Sequence, residues 1–429
     1  MSRLLSEHET PLAIHRKILG FAWLGWIFDF YDLNLLSFLI ASTPIAQELK
    51  LDAQAQSWAL GSSLAFTAVG GLIFGALADR YGRRPMLMAT ILIYSAGTCA
   101  SGVAVDMWTL LLARAITGLG VGGEWAVAHA LVGETVPPAV RGRYGSYLQT
   151  GSTVGLLLST AVGNYLAPLI GWRWTFILSA LPALIVIAIR RQMPESDLWL
   201  QHRGEKSEGH WTRVVEMLRP GLRKATMLAF ALTSAAMAGY WFKNIWLPSY
   251  YHKVRGFSLE DSATLLFLGQ IGSLIGYVCF GFASDRFGRR PSYSLFAGMK
   301  AVCLALITVG WALTISHPAI LLMVVFTMGF GEGNWGCIGP LLSELFPTRL
   351  RASALGIIYN FSRGVQFLAP VIITAVATRY TFAEGIALGA IFAALSGALV
   401  WLLPETKGLN LAVRPGTILP RTPAAESEG

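Results

Sequence analysis

The chain has 429 residues, of which 54% are hydrophobic and only 13% are charged. A soluble domain carries about 25% charged residues, so this chain has too little polar surface to cover a water-soluble globule. Its net charge of +9 could indicate a nucleic-acid partner, but the placement of the basic residues indicates membrane topology instead. The four cysteines lie far apart in apolar runs, so neither a metal site nor a disulfide framework is predicted.

Apolar runs long enough to cross a bilayer follow one another along the chain. They cover twelve stretches: 18–41, 57–78, 86–105, 107–133, 143–168, 171–190, 223–250, 261–284, 292–314, 317–343, 352–377 and 382–403. The first run is too long for the apolar part of a cleaved signal and contains two aspartates. We therefore expect it to remain as a permanent first helix.

The basic residues predict the orientation of these helices. With the N-terminus in the cytoplasm, most of the 33 lysines and arginines fall in cytoplasmic segments. The outer segments hold Lys50, Arg173, Lys253, Arg255 and Arg379. This bias predicts a multi-pass protein of a bacterial inner membrane with both termini in the cytoplasm. It also accounts for the positive net charge, so no nucleic-acid partner is predicted.

Two parts of the chain repeat each other. The loop after the second run, Gly75–Pro85, shares Gly, Asp-Arg and Gly-Arg-Arg-Pro with Gly281–Pro291 after the eighth run. A second repeat follows the fourth and tenth runs, where Glu134 and Arg141 have the same spacing as Glu344 and Arg351. Two homologous halves are the arrangement of a rocking transporter. The predicted fold is an all-α membrane protein with twelve transmembrane helices in two pseudo-symmetric six-helix bundles. Its predicted segments are an N-terminal segment 1–17, a first bundle 18–190, a linker 191–222, a second bundle 223–403 and a tail 404–429.

The repeated Gly-x-x-x-Asp-Arg-x-Gly-Arg-Arg loop resembles the signature of the major facilitator superfamily. Arg114 with Gly118, Pro194-Glu195-Ser196, and Pro404–Gly408 resemble other motifs of that family. The resemblance implies an inner gate built from Gly75, Asp79, Arg80, Gly82, Arg83, Arg114, Glu134, Arg141, Asp285, Arg286, Gly288, Arg289, Glu344 and Arg351. The alternative is that these charges only anchor the topology. For Arg114 a mainly structural role is expected, in which it bonds backbone carbonyls or a carboxylate, and a part in proton coupling is the alternative.

Ionisable side chains inside a membrane are costly and usually mark a transport pathway. Asp29 and Asp32 lie three residues apart, on one face of the first helix, and Asp29 falls about 18 Å into the helix. Two carboxylates this close cannot both ionise cheaply, so one of them is predicted to carry a proton. The alternative is that one aspartate hydrogen-bonds a neighbouring helix. Glu124 and Glu332, in glycine-rich runs, are further candidates for proton coupling.

Arg363 lies in the eleventh run at about the same depth as Asp29. A guanidinium at this depth needs an anion, which Asp29, Asp32, Glu332 or a substrate could supply. We favour an exchange of partners between substrate and protein over a permanent salt bridge. Other candidate substrate-binding residues are Asn360, Tyr31, Trp125, Trp335, Tyr359 and Lys243. Lys243 could instead extend to the outer interface, and Lys300 and His129 are interpreted as packed or interfacial groups.

A finer resemblance concerns the substrate. Asp29-Phe30-Tyr31-Asp32, together with Arg363, is similar to residues of the proton symporters for organic acids, in the sialate, lactate and aromatic-acid branches. Phe30 replaces their usual glycine. The resemblance implies proton-coupled uptake of a small monocarboxylate, sugar acid or aromatic acid by a monomer that needs no cofactor. Efflux of drugs or metabolites, sugar or polyol symport, and a non-transporting sensor remain alternatives. Enzymatic activity is not predicted, because the sequence has no nucleotide-binding loop, nucleophile elbow or metal-ligand cluster.

Overall fold

The computed structural model describes residues 5–7, 12–181, 192–202, 210–366, 382–409 and 411. Those residues form helices and connecting turns, with no strand among them. In this part of the chain, ten helices are long and apolar enough to cross a membrane. The remaining portions of the predicted sixth and eleventh runs, 182–190 and 367–377, lie outside the described residues, as do most of the predicted tail and part of the linker.

We number the membrane helices in chain order. The first bundle contains α1 Ala13–Ser42, α2 Ala53–Tyr81, α3 Arg83–Gly102, α4 Met107–Thr135, α5 Arg141–Ala161 and α6 Trp172–Leu178. The second bundle contains α7 Pro220–Ser249, α8 Leu259–Phe287, α9 Arg289–Thr308, α10 Pro318–Leu345, α11 Arg351–Val365 and α12 Phe382–Leu399. Two short helices, Asp197–His202 and His210–Met217, lie between the bundles.

Local sequence explains where several helices begin and turn. Asp52 and Asp106 cap α2 and α4, because their side chains accept hydrogen bonds from Ala55 N (2.7 Å) and Thr109 N (2.8 Å). The tight turns between α2 and α3 and between α8 and α9 contain Gly82 and Gly288, whose φ angles are +111° and +104°. Only glycine adopts such angles without strain, which explains why both repeated loops have one there.

One predicted helix is interrupted. The tenth run predicts a continuous helix, but a 3₁₀ turn over Gly331–Asn334 separates Pro318–Phe330 from Trp335–Leu345. Glycines at the alternate positions Gly329, Gly331 and Gly333 lower the helical propensity of this segment. The break lies at the buried residue Glu332, so it determines where that carboxylate is presented.

The two bundles meet along paired helices. Helix α2 of the first bundle packs along α11 of the second, and α8 of the second packs along α5 of the first. Gly71 and Gly356 allow the α2 and α11 backbones to approach closely, since a Cβ on either glycine would collide with the partner backbone. This two-fold packing is the pseudo-symmetry that the sequence repeat predicts, and it leaves a central space between the halves.

Candidate functional site: a central cavity and an inter-bundle latch

A cavity lies between the two bundles. Phe30, Gln149 and Ser152 line it from the first bundle, and Met237, Tyr240, Trp241, Tyr277, Trp335, Tyr359 and Arg363 from the second. An adjoining hollow is lined by Ser152, Thr153, Leu156, Tyr240, Lys243, Gln270, Ser273, Tyr277 and Glu332. Since Ser152, Tyr240 and Tyr277 line both spaces, the two form one binding region.

Arg363 is the cationic group of the larger space. It is 4% exposed, its Nη2 donates to the Tyr359 hydroxyl (3.2 Å), and its guanidinium lies 4.9 Å from the centroid of the Tyr359 ring. Within the described residues, its Nη1 has no hydrogen-bond partner and no carboxylate lies within salt-bridge distance. None of the predicted protein carboxylates therefore pairs with it directly. A buried guanidinium with a free N–H group on a cavity has the charge and geometry to bind an anion.

Asp29 and Glu124 form a pair of acidic side chains in the first bundle. Both are fully buried, and their carboxyl groups lie close enough for their charges to interact. No group in the described part of the chain donates a hydrogen bond to their oxygens. Two buried carboxylates this close do not both ionise cheaply, so the pair is suited to hold a proton. Asp29 is also close enough to Arg363 for their charges to interact. The sequence does not reveal this pairing, because Asp29 and Glu124 lie far apart in the chain. They come together only because α4 crosses α1 at Gly25.

Asp32 lies apart from this pair, beside Arg114. Both residues are buried, and Arg114 Nη2 donates to the backbone carbonyl oxygen of Asp32 (2.9 Å). The expected backbone contact of Arg114 is therefore present. However, Arg114 lies beside α1 and takes no part in the contacts between the repeated loops that are described below.

Glu332, Lys243 and Lys300 form a charged cluster in the binding region, separate from Arg363. Oε1 of Glu332 pairs with Lys243 Nζ, and its Oε2 with Lys300 Nζ at 3.2 Å. Trp335 Nε1 also donates to Oε2 (3.1 Å). Lys243 is 5% exposed, so it does not extend to the membrane interface as the alternative interpretation had it. For Lys300 the sequence favours a packed or interfacial role, whereas in the structure it pairs with Glu332. Sequence reasoning missed its ion pair because the three charges come from α7, α9 and the break in α10.

The remaining predicted substrate residues differ in where they lie. Trp335 and Tyr359 line the cavity. Trp125 does not line it but stacks on Tyr359, with ring centroids 3.6 Å apart, and the ring of His129 lies 4.5 Å from that of Trp125. Tyr31 and Asn360 lie elsewhere. The Tyr31 hydroxyl bonds Ser179 (2.6 Å), and Asn360 Nδ2 donates across the bundle interface to Gly122 O (2.8 Å).

Asp79 and Asp285, the aspartates of the two repeated loops, connect the two bundles. Asp79 accepts hydrogen bonds from Ala352 N (3.2 Å) and Ser353 N (2.9 Å) at the start of α11. Asp285 accepts from Gly142 N (2.9 Å) and Arg143 N (3.0 Å) at the start of α5. Each carboxylate thus occupies the positive end of a helix dipole in the opposite bundle.

Buried ion pairs strengthen this contact. Glu134 pairs with Arg83 of its own bundle and Arg351 of the other, both at 2.8 Å. Glu344 likewise pairs with Arg289 (2.9 Å) and, across the interface, with Arg141 (3.3 Å). We call the eight residues Asp79, Arg83, Glu134, Arg141, Asp285, Arg289, Glu344 and Arg351 the latch. Arg80 and Arg286, predicted with them, are exposed and lie against Tyr81 and Phe287.

Four further residues support the latch and were not singled out as site residues from the sequence. Glu195 accepts from Arg83 N (3.0 Å) and Glu405 from Arg289 N (2.8 Å). Ser196 donates to Glu134 (2.5 Å) and Thr406 to Glu344 (2.6 Å). The signal was present in the matching Pro-Glu-Ser and Pro-Glu-Thr motifs, which follow the two bundles at equivalent places.

Comparisons with known proteins agree with this architecture. Residues 22–308 match the sequence model of the Major Facilitator Superfamily, and residues 206–413 match that of "Sugar (and other) transporter". The chain is 33% identical to a putative metabolite transport protein of Haemophilus influenzae, over 92% of this chain and 97% of that protein. It is 31% identical to a sialic acid transporter of Escherichia coli, over 90% and 93% respectively. A solved proton:xylose symporter superposes with a TM-score of 0.71 at 21% identity, over 93% of this chain and 98% of that one.

Proposed function

The chain belongs to the Major Facilitator Superfamily of membrane transporters, and we propose that it takes up a small organic carboxylate together with a proton. Membership confirms the resemblance inferred from the repeated loops and the prediction that the chain is a transporter and not an enzyme. The twelve-helix, two-bundle architecture predicted from the sequence is that of the family.

Arg363 is the observation that carries the substrate assignment. Its buried guanidinium lines the cavity and keeps Nη1 free, with only the Tyr359 hydroxyl as a protein hydrogen-bond partner among the described side chains. A carboxylate matches the fork of a guanidinium better than a hydroxyl or a cation does. A neutral sugar would leave this charge uncompensated, and a cationic drug would be repelled by it. Transport of an acid by a relative of similar length is consistent with this assignment.

The Asp29–Glu124 pair is the proposed proton carrier. A proton from outside would occupy the pair when the substrate carboxylate binds Arg363. Loss of the proton inside would leave a carboxylate near Arg363, which would favour release of the substrate anion. Protein carboxylate and substrate would thus alternate as the counter-charge of Arg363. A monocarboxylate carried with one proton adds no net charge, so the pH gradient would drive uptake.

The latch is the proposed inner gate. We assign its side to the cytoplasm because the basic residues cluster there, which also places both termini inside. With the latch formed, the cavity is closed on that side. The bundles would rock about the loaded cavity, the latch would separate, and the substrate would leave inward. Cavity and latch both lie within one chain, so a monomer is sufficient for this cycle.

Uptake into proteoliposomes at different external pH values tests the proposal. With wild-type protein, uptake of a labelled carboxylate should accelerate as the external pH falls, and unlabelled sugars should not compete. Asp29→Asn and Glu124→Gln should abolish acid-driven net uptake but retain exchange of labelled for unlabelled substrate, which moves no net proton. Glu260→Gln removes an exposed carboxylate and is the matched control. Acid-driven uptake that persists in both the Asp29→Asn and the Glu124→Gln variant would rule out this proton carrier.

A further inference from the structure

We propose that the Lys243–Glu332–Lys300 cluster is a second anion subsite of the cavity. The transported substrate would then be a carboxylate that carries a second acidic group. This inference rests on the proposed function, because it assigns Arg363 to the first carboxylate. It goes beyond that proposal because it distinguishes a dianion from the monocarboxylates and sugar acids that the sequence resemblance implies.

The charge of the cluster is the first argument. Two lysines share one glutamate, so with both lysines protonated the cluster carries one excess positive charge. The exposed fractions of Lys243, Lys300 and Glu332 are 5%, 0% and 2%. No second carboxylate contacts either lysine in the ranges that the structure covers. Burial of an uncompensated cation is costly, and a structural link between helices would need only a one-to-one pair. An anionic ligand would compensate this excess charge.

The hydrogen-bonding capacity of the cluster is the second argument. Both oxygens of Glu332 are occupied, since Oε1 binds Lys243 and Oε2 binds Lys300 and Trp335. An ammonium group has three N–H donors. Lys243 therefore retains donor capacity, and it lines the hollow beside Gln270 and Ser273. An anionic oxygen entering this hollow would find one lysine and two neutral polar groups.

The connection between the two cationic groups is the third argument. The hollow that Lys243 lines and the space that Arg363 lines share Ser152, Tyr240 and Tyr277. Trp335 lies between the two groups. Its Nε1 bonds Glu332, and its ring makes edge contacts with Tyr240 (5.9 Å) and Tyr359 (6.4 Å), the residue that holds Arg363. One ligand in this region can thus face both cations.

The side chains that line the cavity around Arg363 are mainly aromatic. Phe30, Tyr240, Trp241, Tyr277, Trp335 and Tyr359 surround the space on the Arg363 side. Aromatic faces and edges pack favourably against a flat unsaturated body. A planar body with an acidic group at each end would place its rings or double bonds against these side chains and its charges on Arg363 and Lys243.

Binding to purified full-length protein in nanodiscs, measured by calorimetry, tests this inference. The probes are terephthalate and its monomethyl ester, which share one body and differ by one negative charge. Isophthalate and its monomethyl ester test a shorter separation. We expect the wild-type protein to bind one dianion at least about tenfold more tightly than its half-ester, the effect of one charge-assisted contact.

Variants of the cluster make the test specific. Lys243→Met leaves Glu332 paired with Lys300 and removes the excess charge, so the preference for the dianion should disappear. Lys243→Met combined with Glu332→Gln leaves Lys300 as the excess charge and should restore part of the preference. Lys50→Met removes an exposed lysine and should keep the wild-type preference. Thermal melts establish whether each variant is folded. If Lys243→Met does not fold, the double variant still tests the proposal.

The two proposals fail in different ways. If dianions and half-esters bind the wild-type protein equally and Arg363→Gln weakens both, the second subsite is disproved while the carboxylate assignment stands. A preference for the dianion that survives in folded Lys243→Met also disproves it. If neither dianions nor half-esters bind the wild-type protein, the proposed function fails together with this inference.

Discussion

The ring of Trp125 in α4 stacks on the ring of Tyr359 in α11, with centroids 3.6 Å apart and planes inclined by 14°. The two residues belong to different bundles, so the stack is a contact across the bundle interface. Tyr359 also binds Arg363, and Trp125 contacts His129, which lies between Trp125 and the latch residue Glu134 along α4. The stack therefore lies between the proposed substrate site and the latch.

The first prediction concerns this stack. Trp125→Ala removes a ring contact between the bundles, and such contacts contribute about 1 kcal/mol, a shift of about fivefold in a conformational equilibrium. We expect a cysteine at Ser152, in a protein without its native cysteines, to react faster with an impermeant thiol reagent added from the latch side. Trp108→Ala removes an exposed tryptophan of the same helix and is the control. An unchanged rate in Trp125→Ala would show that the stack does not seal the cavity.

The second prediction compares two arginines of the same loop. Arg83 is buried and pairs with Glu134 (2.8 Å) and Asp79 (3.1 Å), whereas Arg80 is exposed. Removal of one partner from a buried ion pair costs about 3–5 kcal/mol, so Arg83→Ala should lower thermal stability and abolish transport. Arg80→Ala should change both by little. Equal effects of the two substitutions would favour the alternative in which the loop charges only anchor the topology.

The third prediction concerns the turn between α2 and α3. Gly82 has a φ of +111°, and the carboxylate of Glu195 occupies the place where a Cβ would stand. Gly82→Ala should therefore destabilise the protein by more than about 1 kcal/mol. Gly61→Ala in α2 has open space around it and should be neutral or stabilising. Thermal unfolding of the purified protein, monitored by intrinsic fluorescence, compares the two variants. Equal melting temperatures would show that the turn tolerates a side chain.

The parts of the structure that the sequence predicts are those that repeat or that span a fixed thickness. Run length identifies most membrane helices, and the two loop copies identify the halves. The partners of Asp79 and Asp285 are predicted less directly. A carboxylate at the end of one helix is stabilised by the N-terminus of a neighbouring helix, where the helix dipole is positive. These features depend on local pattern or on symmetry, and both can be read without knowing how the helices are rotated.

The pairings inside the bundles depend on helix rotation, which sequence does not fix. Asn360 and Arg363 both belong to α11, yet only Arg363 lines the cavity, whereas Asn360 bonds Gly122. Lys300 meets Glu332 because Gly331 lets the α10 turn lie against α9. Such contacts require the crossing of three helices, so the sequence indicated the charged residues of the region but not their partners.

Calorimetry of benzoate and benzamide on purified wild-type and Arg363→Gln protein tests the central claim most directly. The two probes have the same ring and differ in whether the polar group carries a charge. Wild-type protein should bind benzoate about tenfold or more tightly than benzamide, and Arg363→Gln should remove this preference. Arg363→Lys should retain part of it, because the charge remains without the fork. Undiminished benzoate affinity in folded Arg363→Gln would contradict the assignment of Arg363 to the substrate carboxylate.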